Sequence, residues 1–154
     1  MLEISSNIEQ IRYSETAVSR AKTDCMSSDD QPPRPKTVLI VEDHSLNLRL
    51  FSDLLEHQGY FTIPATLGRV AVELAQQHKP DLMVLDIQLP DISGMEVARQ
   101  LKADEETRAI PIIAVTAFAM SSDRAKILAS GCDDYLAKPF RGPELIRLVE
   151  LYTR

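Results

Sequence analysis

Cysteine and histidine are scarce in this chain, and neither clusters. Its 154 residues include 2 cysteines and 3 histidines. Cys25 and Cys132 stand far apart with no metal-binding or redox spacing. Reduced thiols are therefore expected, and a disulfide framework or a zinc site is not. No apolar run approaches the roughly eighteen residues that a membrane helix needs, so membrane insertion is not expected. The start, Met1-Leu2-Glu3-Ile4, lacks the basic residues and apolar core of a secretory signal, which predicts a cytoplasmic setting. Basic residues are also short, 17 Lys and Arg against 23 Asp and Glu, for a formal charge of −6. A nucleic-acid surface normally shows a basic stripe, so proteins or a metal ion are the expected partners.

What is present changes character along the chain. Over residues 1–35, Ser5-Ser6, Ser27-Ser28-Asp29-Asp30 and Pro32-Pro33-Arg34-Pro35 have linker composition. Ile4, Ile8 and Ile11 keep roughly helical spacing, but so short a helix is marginal without a partner surface. A disordered or marginally helical tail is expected, with Met26 as an alternative translation start.

From Lys36 to Arg154 the pattern becomes regular. Thr37-Val38-Leu39-Ile40-Val41 reads as a buried strand ending in Glu42-Asp43. Leu46, Leu50 and Leu54, with Phe51 and Leu55 beside them, predict an amphipathic helix that stops near Gly59. Tyr60-Phe61-Thr62-Ile63 is a second strand, and Val70, Ala71, Leu74 and Ala75 mark a second helix stopped by Pro80. Leu82-Met83-Val84-Leu85 is a strand buried on both faces, with Asp86 at its end. Ser93-Gly94-Met95-Glu96 has the form of a capping box opening a third helix to about Leu101. Ile110 to Val115 is a fourth strand ending at Thr116, and Ser121-Ser122-Asp123 offers caps for a fourth helix that ends at Gly131. Asp133 to Ala137 is a weak fifth strand before Lys138-Pro139. Pro143 suits the first turn of a last helix carrying Leu145, Leu148, Val149 and Tyr152. This alternation predicts an α/β fold, a five-stranded parallel sheet with helices on both faces.

In a parallel sheet all strand C-termini share one edge, where open α/β folds bind ligands. Glu42-Asp43, Asp86, Thr116 and Lys138 should therefore converge. Three neighbouring carboxylates repel and raise one another's pKa values. A divalent cation relieves that, and an all-oxygen donor set suits Mg²⁺. Thr116 offers a hydroxyl and Lys138 a mobile charge, both suited to a phosphoryl group. An Asp nucleophile taking up that group would form an aspartyl-phosphate.

These motifs as an ordered set resemble the receiver domains of two-component response regulators, with the CheY-like (βα)5 fold. The pieces are Val38 to Asp43, Asp86-Ile87-Gln88-Leu89-Pro90 with Ser93-Gly94, Val115-Thr116-Ala117, and Lys138-Pro139. Leu46-Asn47 and Phe118-Ala119-Met120 narrow the likeness to DivK-type single-domain receivers. The resemblance implies that Asp86 accepts phosphate from a histidine kinase or phosphotransfer protein. It implies Mg²⁺, with Mn²⁺ as a substitute, on Glu42, Asp43, Asp86 and the Gln88 carbonyl. Thr116, the Ala117 amide and Lys138 would meet the phosphoryl oxygens, and Lys138-Pro139 would be cis. Thr116 and Tyr135 would form the switch. It would act on a protein partner at the face of the fourth helix, fifth strand and fifth helix, in control of division or polarity. The expected role is a phosphoacceptor rather than an enzyme. His44 stands where the DivK-type pattern carries Asn, and a solvent-exposed loop histidine is expected there.

Competing classes fit less well. A haloacid-dehalogenase-like phosphatase needs a second Asp two residues after its nucleophile, where this chain has Gln88. A nucleotide-binding domain needs a Gly-rich turn after the first strand, where Glu42-Asp43-His44 stands. A receiver acting as an adaptor without phosphate remains as an alternative, though every acceptor-site residue type is present.

Gln88 and Phe118 each lie two residues beyond a strand-end site residue and should flank the phosphoryl group, where they would set its lifetime. A bulky Phe118 that hinders in-line water predicts a long-lived phosphorylated form. Phe118→Asn is then expected to speed dephosphorylation, measured as decay of the phosphorylated protein, and an unchanged rate would remove the idea.

Overall fold

Runs of branched and large apolar residues, bounded by Pro, Gly and Asp, build the strands here. The computed structural model describes residues 33–117 and 120–154. The tail expected over 1–35 lies almost wholly outside them, as do its isoleucines and Met26, and so does Phe118. One compact unit runs from Pro35 to Arg154.

The strands are β1 (Thr37–Val41), β2 (Phe61–Ala65), β3 (Leu82–Asp86), β4 (Ile112–Thr116) and β5 (Asp134–Ala137). The helices between and after them are α1 (Ser45–His57), α2 (Gly68–His78), α3 (Gly94–Ala103), α4 (Ser121–Ala129) and α5 (Gly142–Thr153). All pairings are parallel, in the order β2-β1-β3-β4-β5. The expected doubly covered sheet is what forms. Side chains alternate between its faces. Val38, Ile40, Leu82, Val84, Ile113 and Val115 meet Phe51 and Leu55 of α1 and Leu145 and Val149 of α5. The opposite face carries Leu39, Met83, Leu85 and Ile112, fully buried, on the side where α2 and α3 lie together.

Several local expectations shift. Strand β2 continues through Pro64, which its edge position allows because an edge strand need not donate every N–H. On α1 the sheet takes Phe51 and Leu55, while Leu46 and Leu50 are 71% and 54% exposed. Two overlapping apolar stripes exist on this helix; the one with aromatic bulk is buried, and of the other Leu54 is half-buried. Gly59, at φ 92, ends α1 with its N–H on the Glu56 carbonyl. Ser93 caps α3 through Met95 N–H at 3.2 Å, but Glu96 does not close a capping box. Its carboxylate instead faces Arg99 and Gln100. Met120 precedes α4, so Ser121, Ser122 and Asp123 fall inside its first turn and none caps it. Lys102 of α3 reaches Asp133 at 3.1 Å and the Ile110 carbonyl at 2.9 Å.

The two sheet edges are finished differently. Beneath the N-terminal ends, Asp81 Oδ2 accepts Thr37 N–H and Asp133 Oδ2 accepts Ile112 N–H, both at 2.8 Å. At the C-terminal edge, Gly94 lets α3 close on the end of β3, with its N–H on the Ile87 carbonyl at 2.9 Å. A Cβ there would collide with the Asp86 carbonyl oxygen and stand 2.8 Å from Ile87 Cα. Because backbone cannot yield as a side chain can, Gly94→Ala is expected to cost about 3 kcal/mol, the upper end of overpacking. Chemical denaturation of the two proteins would check this.

Candidate functional site

Parallel register sets the strand ends level. Asp86 closes β3 opposite Val115, and Thr116 closes β4 opposite Ala137 of β5. Glu42 follows β1 immediately and is tied by its N–H to the Ala65 carbonyl of β2 at 3.0 Å. Lys138 follows β5 with its N–H on the Thr116 carbonyl at 2.8 Å, and its peptide bond to Pro139 is cis.

These ends bring four charged side chains together. Lys138 Nζ donates to Glu42 Oε2 at 3.2 Å and to Asp86 Oδ2 at 3.3 Å. The second oxygen of each carboxylate accepts from backbone: His44 N–H to Glu42 Oε1 at 3.2 Å, Gln88 N–H to Asp86 Oδ1 at 3.0 Å. Glu42 and Asp86 are buried and Asp43 is exposed. Carboxylate oxygens of all three lie within 4.8 Å of one another.

The cluster carries more negative charge than one ammonium offsets. Burial, then the Asp86 charge, push the Glu42 carboxyl above its ordinary value, against the His44 N–H and Lys138. Burial alone would pull Lys138 down, but Asp86 and Glu42 together hold it above the ordinary lysine value. A carboxyl with raised proton affinity, in an oxygen-only cluster open at Asp43, suits an added hard cation. The residues present fit Mg²⁺ on that ground.

The other expected site residues fall as follows. Thr116 is buried at the edge, while Ala117 and Gln88 are exposed beside it. Phe118 lies outside the described residues. His44 is exposed, as expected, and contributes its backbone amide. Tyr135 is half-buried, with the Arg124 guanidinium 4.8 Å from its ring centroid.

Comparison with known proteins decides the family. The response regulator receiver domain model matches residues 38–150. The chain belongs to the response regulator receiver domain family. The polar-differentiation response regulator DivK of Brucella anthropi is 51% identical over 118 residues, 77% of this chain and 96% of that one. Its counterpart in Brucella ovis is 51% identical over 117 residues, covering 76% and 95%. Among solved structures, the receiver domain of a sensor histidine kinase from Pseudomonas aeruginosa is 35% identical, with a TM-score of 0.73, covering 78% of this chain and 98% of that one. That structure has a magnesium ion coordinated in its active-site cleft. A CheY-like receiver from Methanospirillum hungatei is 25% identical at a TM-score of 0.73, covering 78% and 94%. As a receiver homologous to DivK regulators, this chain is a signalling phosphoacceptor of the two-component kind.

Two residues near the receiver site were not singled out from sequence. Asp91 accepts the N–H groups of Gly68 and Arg69 at 2.8 and 2.9 Å. Arg124 stacks on Tyr135. Neither contact follows a spacing rule, since the partners lie on separate elements.

The raised carboxyl gives a test with a definite sign. Below its ordinary value of 4.5, Glu42 is protonated folded or unfolded. As pH rises through that value the unfolded chain releases the proton first, so the folded state loses stability until the folded carboxyl ionises too. Glu42→Gln keeps the acceptor for His44 and has no such loss. Without divalent cation its melting point should exceed the native one at pH 8. The gain should shrink toward pH 4, as read by thermal melts across that range.

Proposed function

We propose that the chain is a single-domain phospho-switch in which Asp86 takes a phosphoryl group from the phosphohistidine of a histidine kinase or phosphotransfer protein. The observation that carries this reading is the buried Asp86 carboxylate beside Glu42, both held by one lysine at the edge where a ligand can enter. The chain spans 96% of the Brucella anthropi DivK protein, which supports a DivK-type reading.

In the forward step an Asp86 oxygen forms a bond to phosphorus as the donor's N–P bond breaks. The electron pair of that bond leaves with the imidazole, which takes a proton from solvent. In the return step water attacks phosphorus, the O–P bond breaks, and inorganic phosphate leaves with the Asp86 carboxylate restored. Glu42, Asp43, Asp86 and the Gln88 carbonyl would hold Mg²⁺, or Mn²⁺ in its place, and the bound cation would supply positive charge against the phosphoryl oxygens. Lys138 turns from Glu42 toward a phosphoryl oxygen, keeping its ion pair in the new state. The Thr116 hydroxyl and Ala117 amide donate to the others. The protein is consumed and regenerated as the acceptor, and Gln88 and Phe118 set how long the phosphoryl group lasts.

The output reads through Thr116 and Tyr135. Thr116 drawn toward phosphate vacates space behind β4, and Tyr135 turns inward, altering the face of α4, β5 and α5. Leu128 of α4 and Leu151 of α5 stand exposed there, ready for an apolar contact with a protein partner. The polar-differentiation role of the DivK relatives supports a partner in polarity or division control. We place this work in the cytoplasm, with the phosphohistidine donors.

The test is intact mass after incubation with acetyl phosphate and Mg²⁺. The native protein should gain one phosphoryl group, and EDTA or Asp86→Ala should abolish the gain. An adduct that persists on Asp86→Ala, or a native protein that neither gains the group nor binds beryllofluoride, overturns the assignment.

A further inference from the structure

The loop that follows Asp86 is anchored at both ends, by different chemistry. At its far end Gly94 N–H bonds the Ile87 carbonyl at 2.9 Å, closing residues 87–94 into a ring. Within the ring, Gln88 N–H returns to Asp86 Oδ1 at 3.0 Å. Hydrogen bonds inside the loop cannot fix where its outer arm lies relative to the sheet. That is done from another element: Asp91 Oδ1 accepts Gly68 N–H at 2.8 Å and Asp91 Oδ2 accepts Arg69 N–H at 2.9 Å. These are free N–H groups of the first turn of α2, which lacks a side-chain cap of its own because Leu67 stands at the capping position.

A second feature requires the same close approach. A Cβ on Gly68 would stand 2.6 Å from Ile92 Cγ1 and 2.9 Å from Val97 Cγ2. The start of α2 thus lies directly against the loop and the first turns of α3, with Asp91 as the polar contact and Gly68, Ile92 and Val97 as the apolar one. Burial pushes the Asp91 carboxyl up, but N–H donation from Arg69, Gly68 and Ile92 outweighs it and leaves the carboxyl below its ordinary value.

We propose that Asp91 is a positioning residue for the acceptor site: its clasp on α2 holds the loop that presents the Gln88 backbone beside Asp86. This rests on the reading of Glu42, Asp43, Asp86 and Gln88 as the cation site. Asp91 touches neither phosphoryl group nor cation. Its work is to keep the Gln88 carbonyl in place before a cation arrives, so that binding need not order the loop. Losing the clasp frees the outer arm, and the ordering cost then falls on cation binding.

The experiment measures Mg²⁺ affinity by calorimetry, thermal melting, and amide exchange on the native full-length protein and three variants. Asp91→Ala is expected to weaken Mg²⁺ binding about threefold to tenfold, at or below the range for groups that support metal ligands. It should also speed exchange at Gly68, Arg69 and Gln88. Asp91→Asn keeps one acceptor oxygen and should fall between, which preserves the test if the alanine variant folds poorly. Asp81→Ala is the control. It removes a carboxylate that binds Thr37 N–H at the far edge, and should lower the melting point while leaving Mg²⁺ affinity and Gln88 exchange unchanged. The proposal is overturned if Asp91→Ala and Asp91→Asn bind Mg²⁺ as the native protein does, or if Asp81→Ala weakens binding equally. A native protein that binds no Mg²⁺ brings down the cation-site reading itself. Native binding without an Asp91 effect brings down the clasp alone.

Discussion

Lys138 bridges two buried carboxylates, and the C-terminal edge of the sheet is arranged around that pairing. A Glu and an Asp side by side away from water is a costly arrangement, and one ammonium group serving both lowers the cost without removing it. The residue of that cost shows in Glu42, whose carboxyl is held above its ordinary value. The imbalance is what gives the edge affinity for positive charge. A fully neutralised cluster would be more stable and would have little use for a cation.

The sheet makes this cluster possible because every strand runs the same way. Residues 42, 86 and 138 are distant in sequence, yet parallel register delivers them to one edge. That is why the site could be read from sequence at all. A short run of branched apolar residues has a recognisable end, and a charged residue at that end can only lie at the edge. Glu42, Asp86, Thr116 and Lys138 were all legible by this logic, as was the alternation that fixes the fold. The apolar face of α1 was legible only in part. Leu46, Leu50 and Leu54 satisfy helical spacing as well as Phe51 and Leu55 do, and periodicity alone does not rank two stripes that overlap. Packing against the sheet ranks them, in favour of Phe51 and Leu55.

What stayed hidden are contacts between side chains and the backbone of a different element. Asp91 looks like a turn residue after Pro90, and its partners at 68 and 69 precede it by more than twenty positions. Arg124 looks like a solvated helix residue until β5 brings Tyr135 beneath it. Capping boxes are local patterns and can be sought in sequence, although here Glu96 followed the pattern without closing the box. A cap supplied from across the fold has no such pattern, because any loop carboxylate can serve.

The same side chain does opposite work at the two edges, and the difference lies in what its oxygens meet. At the N-terminal edge Asp81 and Asp133 each give an oxygen to a strand N–H, and Asp133 adds a lysine on the same atom. Those carboxylates finish the backbone. At the C-terminal edge each oxygen of Glu42 and Asp86 has one hydrogen-bond partner among the described residues, and a carboxylate oxygen has two lone pairs. Acceptor capacity therefore remains on both residues, aimed where the strands stop and the loops open. Asp91 belongs to the first kind by its bonds and to the second by its place. It gives both oxygens to the backbone of α2, and in the proposed clasp that contact steadies the loop whose Gln88 N–H meets Asp86 Oδ1.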